Sequence, residues 1–142
     1  NLYFYFYAMP FVLADDGISY EKVADLVFED TKYPGYKISF KPGKGTSPDD
    51  NYFVYYHPET YQMEWLGYTV TFFDKKVSNT VTIIRYNQWE DVSGLLLPKE
   101  ITWYKKDQNG VLMTSIKPIT EFTLPLVSQG KLPASFFEKP VN

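Results

Sequence analysis

The chain of 142 residues contains no cysteine, a single histidine and a single arginine. Without cysteine there is no disulfide, no thiolate metal site and no Cys nucleophile. That absence suits the cytoplasm or a bacterial periplasm and does not choose between them. His57 is the only imidazole, so a Ser-His-Asp triad would have to use it, and no Gly-x-Ser-x-Gly elbow supplies the nucleophile. Arg85 is the only arginine among 14 basic residues, the net charge is −3, and the pI is about 5.1. A nucleic-acid binder would carry a basic footprint, which is missing here. No apolar run reaches the ~20 residues of a membrane-spanning helix, and no signal-peptide pattern occurs.

What the chain has in abundance is aromatic side chains, at 19%, with 13 Tyr and 11 Phe. They concentrate in Tyr52–Phe73, where two aromatic and β-branched runs flank His57-Pro58-Glu59-Thr60. That is a β-hairpin pattern. Strand alternation puts Tyr52, Val54 and Tyr56 opposite Phe53, Tyr55 and His57. It puts Tyr61, Met63 and Trp65 opposite Gln62, Leu66, Tyr68, Val70 and Phe72. Both faces are apolar. One must be core, and the other is a binding surface or is covered by another segment.

In residues 1–14, Leu2, Phe6, Met9 and Leu13 recur at helical spacing, which predicts a helix that Pro10 ends or kinks. Residues 19–30 fit a helix or a strand, and the strand is favoured because the later segments are strand-like. Tyr33-Pro34-Gly35 reads as a turn. Tyr36, Ile38 and Phe40 then alternate with Lys37, Ser39 and Lys41 as a half-buried strand. Residues 42–51 form a polar loop, and residues 74–79 a turn. Thr80–Glu90 is a strand with Val81, Ile83 and Arg85 on one face. Gly94 to Pro98 breaks the pattern before a strand at Ile101–Lys106. Asp107-Gln108-Asn109-Gly110 is a hairpin turn. Val111 to Leu124 returns as a last long strand, with Pro118 at a bulge or edge. Ala134–Glu138 makes one helical turn.

The segments Ala8–Asp15, Asp50–Thr60 with Met63–Leu66, and Leu97-Pro98 with Ile101–Tyr104 resemble a family of uncharacterised extracytoplasmic proteins of Bacteroidetes type. The aromatic strand and its His-Pro-x-Thr turn are also similar to the hairpin of LolA/LolB-like periplasmic lipoprotein carriers. That resemblance implies a curved antiparallel half-barrel around a helix, with an apolar hollow for acyl chains. It also implies that this chain is the C-terminal part of a longer domain, located in the periplasm or at the outer membrane.

The carboxylates give weak leads. Asp15-Asp16 and Asp49-Asp50 suit turns better than a Ca²⁺ loop. Glu64 and Glu121 lie in strands, where facing solvent is the commoner arrangement, and nothing fixes their separation as a glycosidase pair. Arg85 shares an apolar face, so it either pairs with a buried carboxylate, reaches along apolar surface to water, or meets an anionic ligand.

The expected fold is therefore mainly β. It is a single curved antiparallel meander of about seven strands over residues 1–142, a half-barrel. An N-terminal helix lies in its concave face, and a short helical turn stands near its C-terminus. The expected function is non-enzymatic binding of an apolar ligand, an acyl chain or lipid. Phe6, Met9, Leu13, Trp65, Arg85 and Trp103 are the candidate ligand-binding residues. The alternative is a module of a cell-envelope complex that docks a protein partner through its aromatic face. Carbohydrate stacking on Tyr and Trp is a weaker third reading. No catalytic residue, metal, cofactor or nucleic acid is expected.

Overall fold

The computed structural model describes residues 2–14, 16–40, 51–69, 81–113 and 118–137. Helix α1 (Leu2–Val12) precedes strands β1 (Ile18–Phe28), β2 (Thr31–Phe40), β3 (Tyr52–Tyr56) and β4 (Met63–Tyr68). Strands β5 (Thr82–Val92), β6 (Leu95–Tyr104) and β7 (Thr120–Glu121) come next, then a 3-10 turn at Ala134–Phe137. The strands form one antiparallel sheet in chain order from β1 to β7. This is the expected open meander with an N-terminal helix and a short C-terminal helical turn. Residues 42–50 of the expected 42–51 loop and the turn at 74–79 lie outside the described residues.

Helix α1 forms as its spacing requires. Phe6 and Met9 are each 1% exposed and join Leu66, Tyr68, Ile84, Tyr86, Ile101 and Trp103 in one core cluster, with Leu13 half-buried beside it. Leu2 departs from the expected stripe, being 47% exposed. The helix is apolar on every side, so contact with the sheet decides which residues are buried. Pro10 sits within the helix without breaking it. Having no N–H, it leaves the Phe6 carbonyl without its helical partner. The Tyr86 hydroxyl donates to that carbonyl at 2.9 Å.

The opposite face holds a second cluster of Leu26, Tyr33, Tyr55, Trp65, Ile83 and Leu112, with Phe28, Phe53 and Tyr104 packed against it. Phe28 of β1 meets Trp65 of β4 with ring centroids 4.9 Å apart and Tyr104 of β6 at 5.5 Å. In a flat sheet, strands one and six would stand about 24 Å apart. The sheet therefore bends over this face until its first and sixth strands touch. A cleft of about 240 Å³ between Leu26 on β1 and Leu112 marks the seam.

Several local expectations need correction. Tyr33-Pro34-Gly35 is not a turn but the middle of β2, and the chain reverses at Glu29-Asp30. Pro34 is tolerated because the β1–β2 register shifts between Val23 and Leu26, opposite it. Gly35 is a packing residue, since a Cβ there would stand 2.2 Å from the Tyr55 ring. Leu95–Tyr104 is one continuous strand through Pro98, which pairs with Trp89 where β5 and β6 are irregular. Of the expected last long strand from Val111 to Leu124, the described residues show Thr120–Glu121 as strand and an isolated bridge from Leu112 to Lys106; residues 114–117 lie outside the description. The hairpin turns at His57–Thr60 and Asp107–Gly110 are present as expected.

Trp65 is fully buried but lies on the face opposite Met63. Tyr55 pairs with Trp65 while Tyr56 pairs with Met63, so Glu64 is an extra residue in a bulge. A bulge of this kind resets strand parity. Trp65 therefore does not share a face with Met63, as strict alternation predicted.

Candidate functional site

The six candidate binding residues divide between the two faces. Phe6, Met9, Leu13 and Trp103 belong to the helix-side cluster. Trp65 and Arg85 stand on the opposite face. Phe6, Met9, Trp65 and Trp103 are at most 4% exposed, so they make tightly packed core. The Trp103 indole N–H donates to the Tyr68 hydroxyl at 3.2 Å within it.

Arg85 is the polar centre of the second face. Its Nη2 and Nε donate to Glu64 Oε1 at 2.7 and 3.1 Å, and Tyr33 donates to the same oxygen at 3.2 Å. The guanidinium lies 5.1 Å from the ring centroids of both Phe28 and Trp65, within cation–π range. Burial acts to lower the Arg85 pKa, but Glu64 and Tyr104 outweigh it and hold it above the ordinary value. Burial first, and then the Glu64 charge, raise the Tyr33 hydroxyl. Of the three alternatives for Arg85, the paired carboxylate is the one observed. The bulge brings Glu64 inward, against the solvent-facing expectation.

Glu64 and Glu121 do not form an acid–base pair. Strands β5 and β6 separate them, a distance of about 14 Å along the sheet. Glycosidase carboxylates stand closer than that. His57 is used by its own turn, where Nδ1 accepts from the N–H groups of Glu59 and Thr60 at 3.3 and 3.4 Å. Among the described residues, no three His, Asp or Glu side chains gather as a metal site.

The open apolar site is elsewhere, where the helix meets the tail. Glu121 and Thr120 pair with Glu100 and Ile101, and the Phe122 N–H donates to the Lys99 carbonyl at 2.9 Å. The chain then departs at Leu124, whose φ is 53°. Pro125 has no N–H to continue the ladder. Between the departing tail and β6 lies a groove of about 330 Å³. Its walls are Tyr7, Leu97, Phe122, Pro125, Leu126 and Val127, with Glu121 at its polar side. Tyr7 packs against Phe122 with ring centroids 4.7 Å apart and the planes tilted by 47°. The Tyr7 hydroxyl oxygen is buried and has no hydrogen-bond partner among the described residues. Burial first, and then the Glu90 charge, raise its pKa.

Nearby apolar side chains are also open to solvent. Phe4 is 68% exposed on the outer side of α1, and Leu124 and Leu126 exceed 90%. Sequence reasoning missed Tyr7, Phe122 and Leu126. Tyr7 is hidden in a uniformly aromatic run, and the prolines at 118 and 125 were the available signal that the tail leaves the sheet. No helix among the described residues is long and apolar enough to cross a membrane. Comparison with protein-family models, curated proteins and solved structures finds no match.

Proposed function

We propose that this chain is a non-enzymatic binding module that holds an apolar ligand, an acyl chain or lipid. The observation that carries the reading is the apolar groove between Tyr7 of α1, Leu97 of β6 and the tail at Phe122–Val127. Its volume of about 330 Å³ falls at the lower end of small-molecule pockets. Retention would come from burial of ligand surface, at roughly 25 cal/mol per Å². The packed clusters on the two sheet faces are scaffold in this reading, and the ligand sits where the helix meets the tail. A periplasmic or outer-membrane location and a carrier role like that of LolA/LolB-type half-barrels belong to the same proposal, supported by the open antiparallel meander with an N-terminal helix packed on it.

Native mass spectrometry after gentle purification tests it, together with the fluorescence response of an acyl probe. A co-purifying apolar adduct and a saturable response are expected. A clean apo mass with no response would overturn the reading.

A second reading, docking of a cell-envelope protein partner, is favoured by Phe4 and Phe11 on the outer side of α1, 68% and 47% exposed. Aromatic anchors of this kind dominate protein interfaces. It predicts that Phe4→Ser abolishes co-purification with the partner while leaving acyl-probe binding intact.

A further inference from the structure

We propose that the row of Tyr36, Tyr56 and Tyr61 is a stacking platform for a linear saccharide built of pyranoses with equatorial hydroxyls. This site is separate from the helix–tail groove and does not rest on the apolar-ligand reading. Three observations lead to it.

The first is Tyr61 itself. It stands at the end of the β3–β4 turn. Its N–H donates to the His57 carbonyl, and the His57 N–H donates to the Gln62 carbonyl, both at 2.9 Å. Its φ is 59°, in the left-handed region where glycine or asparagine is the usual choice. A tyrosine is strained there, and at 76% exposed it regains little by burial. Turn geometry and packing both favour a smaller residue. What the tyrosine adds is an open aromatic face. Strain retained beneath an exposed ring points to a use for that ring.

The second is the row. Tyr61 stacks on Tyr56 with ring centroids 6.0 Å apart and planes at 26°. Tyr56 stacks on Tyr36 of β2 at 6.3 Å and 15°. Near-parallel rings at that separation pack offset, so each leaves part of its face uncovered. Tyr36 and Tyr56 are half-buried on the helix-side face, paired with Val54 and Met63. The three rings form a stepped strip from the turn across β3 to β2. An acyl chain needs enclosing walls, which an open strip does not supply.

The third is the polar edge. Lys22 of β1 pairs with Tyr36, so both project from the same face. Asp25, where the β1–β2 register shifts, lies close enough for its charge to act on the Tyr56 hydroxyl. Both are exposed. Desolvation first, and then Tyr36, raise the Tyr56 pKa, so that hydroxyl keeps its proton. An ammonium, a carboxylate and phenol hydroxyls offer donors and acceptors together. A pyranose with equatorial hydroxyls has a face of C–H bonds and a rim of hydroxyls. Its C–H face suits the electron-rich ring faces, and its rim suits the mixed polar edge. Lys22 and Asp25 carry opposite charges, so the edge favours neither an anion nor a cation.

Cellohexaose and chitohexaose, titrated by calorimetry, are the test ligands. At least one is expected to bind saturably, and Tyr61→Gly should weaken that binding about fivefold or more. Glycine relieves the left-handed φ, so Tyr61→Gly should leave the Tm unchanged or raise it. Tyr56→Leu keeps an apolar side chain but removes the central ring, and should weaken binding to a similar extent. Both variants should bind an acyl probe as the parent does, which separates this site from the helix–tail groove. No binding of either saccharide, or binding that ignores both substitutions, would overturn the proposal. A lowered Tm for Tyr61→Gly would show that the ring serves the fold and sink the strain argument. Binding of a proline decapeptide in place of both saccharides, lost in the same two variants, would make the strip a peptide site and overturn the saccharide assignment.

Discussion

The Tyr86 hydroxyl donates to the Phe6 carbonyl at 2.9 Å, and that carbonyl is the one Pro10 leaves unpaired in α1. One sequence choice, a proline in the last turns of a helix, thus creates the acceptor by which the helix is fastened to the sheet. Both residues are 1% exposed, so water cannot replace the bond. Tyr86→Phe should destabilise the fold by about 1–3 kcal/mol, the cost of an orphaned buried carbonyl. Pro10→Ala restores a helical donor to Phe6 and should shrink that penalty. A double-mutant cycle by chemical denaturation measures the coupling. Additive effects would mean that the contact is incidental.

The same substitution at Tyr7 should act in the opposite direction. Its hydroxyl has no partner to lose among the described residues. Tyr7→Phe is expected to leave stability unchanged or raise it by up to about 1 kcal/mol. A thermal melt beside that of Tyr86→Phe makes the comparison. A clear loss of stability would show that the Tyr7 hydroxyl is satisfied within the fold.

Arg85 and Glu64 are intermediate between surface and core, with side chains 31% and 17% exposed. Exposed ion pairs contribute about 0–1 kcal/mol, and breaking fully buried ones costs about 3–5 kcal/mol. Glu64→Gln should therefore cost about 1–2 kcal/mol. Arg85→Met should cost more, because it also removes the guanidinium from Phe28 and Trp65. The pair Glu64→Leu with Arg85→Met should lose less than the sum of the two single variants. Full additivity would mean that the ion pair adds nothing to stability.

Alkaline pH should unfold the protein through its tyrosines. Burial raises the hydroxyl pKa values of Tyr55, Tyr68 and Tyr86 above the ordinary tyrosine value. In the unfolded chain these groups titrate near ~10. Above that pH the unfolded state releases protons that the folded state retains. The tyrosine contribution to stability is thus fully present below about pH 10 and is lost as the pH climbs toward the folded values. Tyrosinate absorbance should show these groups ionising together with the loss of circular-dichroism signal. Complete, reversible ionisation without unfolding would contradict their burial.

The sequence carried the meander, the helix and two hairpin turns, because alternation, helical spacing and turn chemistry are local signals. It also placed Arg85 on an apolar face, from parity with Val81 and Ile83. Three features were not legible. The Glu64 bulge, which turns Glu64 and Trp65 toward Arg85, has no local mark, because bulges are set by how two strands register. Pro34-Gly35 mimics a turn, and only the Tyr55 ring across the strand explains the glycine. The Tyr7 groove depends on where the tail leaves β6, a tertiary event signalled only by prolines.

Photo-crosslinking tests most directly that the ligand sits at the helix–tail groove. The probe is an acyl methyl ester with a diazirine on its chain, and adducts are mapped by peptide mass spectrometry. The account predicts adducts within Leu2–Val12 and within residues 118–127, reduced by Leu126→Asp. Adducts confined to the peptides that carry Tyr33, Trp65 and Arg85, on the opposite face of the sheet, would contradict it.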